Sequence, residues 1–305
     1  MSKFAGLTIR RNRPSRSISV SLEDFIKGMY QRFVPASHPV RSQPSQSKEQ
    51  YDKIATAKDS TERSQVSDKP FIAGCACMIW VQSTIRGDLS IYVVKLCRVM
   101  HDPNLHAWNV LIDLIAYTYY SRSAKLTYHG HPSKWKAPAE YTASGGTAEA
   151  FVRNYGIHSW VDSSWALDSY GGHATIICAA PVDWATKLIK VICHSSAEAE
   201  TGAGSQLGKS YMYIRPLFRK LGVNIDGPTP VFIDSEAGIA IAKNMGVTKR
   251  TMHFLRWQHY LRWLVQRYYL KLIHIGTKRQ LADGLTKVVD ITLYRALFKL
   301  FFNHD

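Results

Sequence analysis

The order of elements in the second half of the chain constrains the fold more than any other feature. Three strand-like runs follow one another directly, at 156–165 (GIHSWVDSSW), 173–182 (HATIICAAPV) and 185–194 (ATKLIKVICH). A helix is predicted from Ala197 to about Leu221, stopped by Gly222. Next come an apolar strand at 230–234 (PVFID), a helix in SEAGIAIAKNMG ended by Gly246, and a longer helical stretch over roughly 251–268. A strand at 270–276 (LKLIHIG) leads to a last helix from about Gln280. Strands joined by short links pair antiparallel, whereas strands separated by a helix can pair in parallel. The predicted fold class is therefore α/β, a mixed sheet with helices packed on it.

The first half reads differently. In residues 4–20, Leu7 and Ile9 alternate with polar residues, Arg13-Pro14-Ser15 turns the chain, and Ile18 and Val20 alternate again, which predicts a hairpin. A helix follows, with Ser21 as its cap, Glu23 and Asp24 in its first turn, and Leu22, Phe25, Ile26, Met29, Tyr30 and Phe33 at helical spacing. Residues 35–69 are rich in Ser, Gln, Pro and Lys and read as a linker or long surface loop. Residues 70–128 carry a dense apolar pattern of helical period, interrupted at Asp102-Pro103-Asn104. Residues 129–150 have loop composition. Five segments result: 1–34, 35–69, 70–128, 129–150 and 151–305.

Composition narrows the partners. Lys and Arg number 39 against 23 Asp and Glu, a formal charge of +16, which points to a polyanionic partner. Apolar residues reach 46%, enough for a real core, so a wholly disordered chain is excluded. No apolar run approaches the ~20 residues of a membrane span, and the N-terminus lacks the apolar stretch of a signal peptide, so no membrane is expected. Five scattered cysteines fit a reducing compartment rather than a disulfide framework, and Cys75 and Cys77 read as core rather than zinc ligands.

Four acids sit where an α/β sheet could bring them together. Asp162 lies inside the first strand, between Trp160 and Trp165. Glu198 and Glu200 lie on the first turns of the following helix, Asp234 ends the apolar strand, and Asp283 begins the last helix. A carboxylate in an apolar strand is costly to bury unless its charge is compensated, and a hard divalent cation with oxygen ligands does so. Each acid alone also has a plainer role. Asp283 and Glu198 suit a helix N-terminus, Asp234 could cap the helix at Ser235, and Asp162 could pair with a buried Arg. Together with the element order, they favour a metal site.

These residues carry a resemblance. The runs His194-Ser195-Ser196-Ala197-Glu198-Ala199-Glu200 and Thr277-Lys278-Arg279-Gln280-Leu281-Ala282-Asp283-Gly284-Leu285-Thr286-Lys287 are similar to the S-S-T-E-A-E-Y and T-K-E-Q-L-A-D-x-x-T-K patterns of copia-type retrotransposon Pol polyproteins. With SWVDSSWA and VFIDSEAGIAIAKN in the same order, 151–305 resembles the ribonuclease H domain of that family. More loosely, 1–34 resembles the hairpin and helix after the polymerase active site. Residues 70–128 resemble the thumb and connection region, with Arg86, Asp88 and Ile91 at its T-R-P-D-I segment.

The resemblance implies a ribonuclease H-like mixed sheet with flanking helices. It also implies a catalytic, metal-binding set of Asp162, Glu200 (rather than Glu198), Asp234 and Asp283. That set would hold two Mg²⁺ or Mn²⁺ ions and cut the RNA strand of an RNA–DNA hybrid. His274 lies near where some members carry a histidine that aids proton transfer; a half-buried strand histidine is the plainer reading. The chain departs from the pattern at Ser163 and Ser164, at Thr201, and at Ser235 and Glu236, the last adding negative charge near the site. The family's paired polymerase aspartates are not among these residues, so the chain as given is not expected to synthesise DNA.

Lys249, Arg250, His253, Arg256, Trp257, His259, Arg262 and Trp263 interleave bases with aromatics along a helical stretch. Of these, Lys249, Arg250, His253, Arg256 and Arg262 are the candidate nucleic-acid contacts, chiefly to phosphates. The expectation is a retrotransposon-derived ribonuclease H acting on an RNA–DNA hybrid, with the rest of a reverse transcriptase as a possible partner. Family habit implies a cytoplasmic or nuclear setting. The alternative is a catalytically inactive nucleic-acid-binding remnant of the same polyprotein.

Overall fold

The computed structural model describes residues 2–47, 49–243 and 254–302. The chain divides into two compact units, one of residues 1–12, 18–127 and 288–305, the other of 13–17 and 128–287. This division differs from the segments read from sequence. The acid-bearing unit starts near 128 rather than 151, and 288–305 cluster with the first unit.

In the first unit, strands Ser2–Phe4 and Leu7–Asn12 pair antiparallel, and Ser17–Ser21 follows after a tight turn. Helix Glu23–Phe33 buries Ile26, Met29 and Phe33. The cap expected at Ser21 is not used. Ser21 ends the strand, and Leu22 holds the cap position without a side-chain hydrogen bond. Helices Phe71–Thr84, Ser90–Cys97 and Leu105–Tyr120 follow, the last capped by Asn104, whose side chain accepts from the Ala107 amide at 2.8 Å. All five cysteines are free, and Cys75 is buried.

The segment 35–69 is less linker-like than its composition suggests. Tyr51, Ala57 and Val66 are buried. Arg41, His38 and Gln50 converge on the Asp113 carboxylate at 2.6, 3.0 and 3.0 Å. A polar strap can dock by charge-assisted hydrogen bonds where it lacks apolar area.

A buried ion pair explains the placement of the last helix, Ile291–Phe302. Arg86 and Asp88 are fully buried and bonded through two parallel contacts of 2.9 and 2.8 Å. Tyr294 donates its hydroxyl to Asp88, and Tyr117 donates to Tyr294 at 2.9 Å. The Arg86 guanidinium also lies 5.5 Å from the rings of Tyr117, Phe298 and Phe302. Two charges out of water need such a complete set of partners.

The second unit holds strands His158–Ser163 (β1), Tyr170–Ile177 (β2) and Ala180–Leu188 (β3), then helix Ser196–Lys220 (α1). Strand Thr229–Ile233 (β4), helices Glu236–Lys243 (α2) and Leu255–Gln266 (α3), strand Leu270–His274 (β5) and the short helix Asp283–Thr286 (α4) follow. The sheet order is β3-β2-β1-β4-β5. β2 runs antiparallel to β1 and β3, and β4 runs parallel to β1 and β5. This is the α/β mixed sheet with flanking helices that was expected. Val161, Leu207, Tyr211, Val231, Ile233, Leu261 and Leu264 form its core. Each such side chain contributes roughly 1.5–3 kcal/mol of burial.

Two predicted strands shift. The run 173–182 passes through a turn at Cys178 and Ala179, both at positive φ (53° and 65°), so β2 ends at Ile177 and β3 begins at Ala180. A two-residue hairpin turn of that geometry is usually marked by Gly, Asn or Asp, and here it is not. The last predicted helix splits as well, into α4 and the separate helix Ile291–Phe302.

Candidate metal centre

Local structure decides which acids are free to serve a site. Ser195 caps α1, accepting from the Glu198 amide at 3.2 Å, and Glu198 reaches back to the His194 amide at 2.7 Å. Glu198 is thus occupied at the helix start. Glu200 lies two residues further in, so it leaves the helix on a different side, and it is buried. Asp234 follows β4, but the cap of α2 is Ser235, which accepts from the Gly238 amide at 3.0 Å. The plainer role for Asp234 is therefore already filled. Asp283 opens α4.

Carboxylate oxygens of Asp162, Glu200 and Asp234 lie within 4.8 Å of one another. Asp162 and Glu200 are buried and Asp234 is half-buried. Ser163 donates both its backbone amide and its hydroxyl to one oxygen of Glu200, at 3.1 and 2.8 Å. The other oxygen, Oε2, is buried and has no hydrogen-bond partner among the described residues. The Thr286 hydroxyl donates to Asp162. Asp283 joins through Lys287, whose ammonium lies 3.1 Å from Asp283 Oδ1 and 3.6 Å from Asp162 Oδ2.

Burial, then the nearby Glu200 charge, raises the Asp162 carboxyl well above its ordinary range. Burial also pushes Glu200 up to about 7, against the lowering effect of Ser163 and with a further push from Asp234. Burial lowers the Lys287 ammonium, but the charges of Asp162 and Asp283 outweigh it and its pKa is raised. Carboxylates crowded in this way repel one another unless a cation joins them.

The donor set fits a hard divalent cation. Its atoms are all carboxylate oxygens, and Glu200 Oε2 is buried with nothing to bond.

Two residues of the site escaped the sequence reading. Lys287 stands inside a quoted motif, yet only the fold shows it four residues beyond Asp283 on the same side of one helical turn. Gly172 pairs with Asp162 across β1 and β2. A Cβ there would lie 2.8 Å from both Leu285 Cβ and Thr286 Cγ2, so the glycine lets α4 close over the strand. A glycine within a strand is the signal that could have flagged it.

His274 ends β5, beside Ile233, its side chain exposed and its Nε2 4.0 Å from Glu236 Oε1. It is more exposed than the half-buried histidine expected. Of the candidate nucleic-acid contacts, Lys249, Arg250 and His253 lie outside the described residues. Arg256 is exposed on α3. Arg262 is buried, because it shares the inward face with Gln258, Leu261 and Leu264, and it is not placed to meet a phosphate. Among the described residues, no helix is long and apolar enough to cross a membrane.

No family model matches the chain. It is 24% identical over 287 residues, 94% of its length, to the retrovirus-related Pol polyprotein from transposon TNT 1-94 of Nicotiana tabacum. It is 28% identical over 66% of its length to the polyprotein from transposon RE2 of Arabidopsis thaliana, and 26% identical over 69% to that from transposon RE1. The chain spans 20% of the first relative and 13% of each of the other two. Among solved structures, the N-terminal RNase H domain of a Mycobacterium tuberculosis protein, fused to maltose-binding protein, aligns at 12% identity with a TM-score of 0.32. That alignment covers 43% of this chain and 89% of that one. The chain is thus similar, over most of its length in the first case and about two thirds in the others, to retrovirus-related Pol polyproteins of plant transposons.

Proposed function

We propose that the second unit is a divalent-metal-dependent ribonuclease H that hydrolyses the RNA strand of RNA–DNA hybrids. The observation that carries this reading is the convergence of carboxylate oxygens of Asp162, Glu200 and Asp234 within 4.8 Å, beside which Glu200 keeps a buried oxygen with no partner among the described residues. Asp162, Glu200, Asp234 and Asp283 would hold two Mg²⁺ or Mn²⁺ ions. Bound there, such ions supply charge that stabilises the attacking and leaving oxygens in phosphodiester hydrolysis.

The chain's own residues do the rest. Ser163 fixes Glu200 in one orientation, and Thr286 fixes Asp162. His274, at an exposed strand end, would aid proton transfer. Arg256 on the outer face of α3, with Lys249, Arg250 and His253, contacts the duplex backbone, so recognition rests on shape and 2′-hydroxyls rather than sequence. The first unit takes the part of the reverse transcriptase thumb and connection, and the rest of that polyprotein is its partner.

Cleavage of an end-labelled RNA–DNA hybrid by the full chain, in Mg²⁺ and in Mn²⁺ beside Asp234→Asn, tests this. RNA-strand products that vanish in the variant are expected. Folded protein that cuts nothing in either metal overturns it.

The second reading is an inactive, hybrid-binding remnant. Lys287 favours it, because its ammonium already neutralises part of the acid cluster. Hybrid binding that is equally tight with metal and with chelator, and no cleavage, is its signature.

A further inference from the structure

Lys287 is the one cation that the described structure sets against the acids. Its ammonium bridges two of them, at 3.1 Å from Asp283 and 3.6 Å from Asp162. Asp283 does not belong to the set of three carboxylates whose oxygens gather within 4.8 Å. The acids thus fall into two groups, three converging on one point and the fourth held by a lysine, with Asp162 common to both.

We propose that Lys287 is a resident cation that competes for one side of the acid site, so that the centre takes its divalent ions unequally. The first ion binds Asp162, Glu200 and Asp234. A second binds Asp162 and Asp283 only by displacing the ammonium. The inference rests on the metal-site reading above.

Three features support it. The Lys287 backbone is fixed, since its amide donates to the Asp283 carbonyl at 2.9 Å, and Gly172 lets α4 close over β2. The ammonium is nevertheless free to leave, because the side chain is 41% exposed and has solvent to swing into. Charge completes the case. The four carboxylates are matched in charge by two divalent ions, and a lysine held between Asp162 and Asp283 is then surplus and repelled. With one divalent ion bound, the ammonium still finds uncompensated carboxylate to hold.

Calorimetric titration of the metal-free full chain with Mn²⁺ tests this, using wild type, Lys287→Met and Lys287→Arg. Methionine keeps the stem and removes the charge. Wild type is expected to bind one ion well and a second about tenfold or more weakly. Lys287→Met should tighten the second ion by about tenfold, with little change in the first, and Lys287→Arg should behave as wild type. Lys287→Gln serves as a second neutral variant if Lys287→Met fails to give a cooperative melt. Two equal sites in wild type, or a second site unmoved in the neutral variants, overturns the role of Lys287 and leaves the metal centre standing. No ion bound by folded wild type overturns both.

Discussion

Ser163 gives two hydrogen bonds to the same oxygen of Glu200, from its amide at 3.1 Å and its hydroxyl at 2.8 Å, and so fixes the orientation of that carboxylate. The amide bond survives any substitution other than proline. The hydroxyl bond does not. Ser163→Ala should therefore leave the fold intact, cost about 1–2 kcal/mol in stability, and loosen Mn²⁺ binding by roughly threefold to tenfold. Calorimetric titration reads the second effect. Unchanged affinity would mean that the amide alone orients the carboxylate.

Glu200 predicts a pH dependence with a definite sign. Burial raises its pKa to about 7 in the folded chain, so the native state holds this proton more tightly than the unfolded state. Its contribution to stability is complete below the ordinary carboxylate range and is lost as pH rises through about 7. In chelator, Glu200→Gln should match wild type at about pH 5 and exceed it by roughly 3 kcal/mol at about pH 8. Urea unfolding at the two pH values measures this. A difference between the two proteins that ignores pH would sink the assignment, and saturating Mg²⁺ should restore wild type at the higher pH.

Gly172→Ala probes the closure of α4 over the sheet. The added methyl meets Leu285 Cβ and Thr286 Cγ2, both close to the backbone, so α4 itself must move. A destabilisation of about 1–3 kcal/mol is expected, together with weaker metal binding as Asp283 and Thr286 draw away from Asp162. Stability loss with unchanged metal affinity would show that α4 does not position the acids.

The buried pair in the first unit should be far less forgiving. Arg86→Met strands the Asp88 carboxylate at a fully buried position and should cost about 3–5 kcal/mol. Tyr294→Phe removes one donor to Asp88 and should cost about 1–3 kcal/mol. Denaturant melts of the full chain give both values, and Arg86→Met should cost the more of the two.

Much of the site was legible because its residues sit where local signals are strong. Asp162 is a lone acid in an apolar strand, Glu198 suits a helix start, and the resemblance to the family's motif singled out Glu200. The mixed character of the sheet followed from which strands have helices between them. What stayed hidden depends on contacts far apart in sequence or on unmarked turns. Cys178 and Ala179 turn the chain without a turn residue's chemistry. Arg262 reads as a surface base until α3 is seen to bury that side. Gly172 acquires its meaning from residues over a hundred positions away. The fate of the last helix was decided by Tyr294 and its partners at Asp88 and Tyr117, which no pattern within 288–305 announces.

That last helix makes the acid-bearing fold an insertion in the chain of its neighbour. The polypeptide leaves the first unit near 127 and returns to it at 288. A single cut therefore cannot release the second unit cleanly. A fragment beginning at 151 and running to the C-terminus would discard 128–150, which belong to the second unit, and carry a helix whose buried Tyr294, Leu297, Phe301 and Phe302 have lost their seat. It would be prone to aggregate for reasons unrelated to the acids. Excision at both ends, near 128 and 287, keeps the main body of the second unit, residues 128–287, in one piece and leaves out only its short segment 13–17.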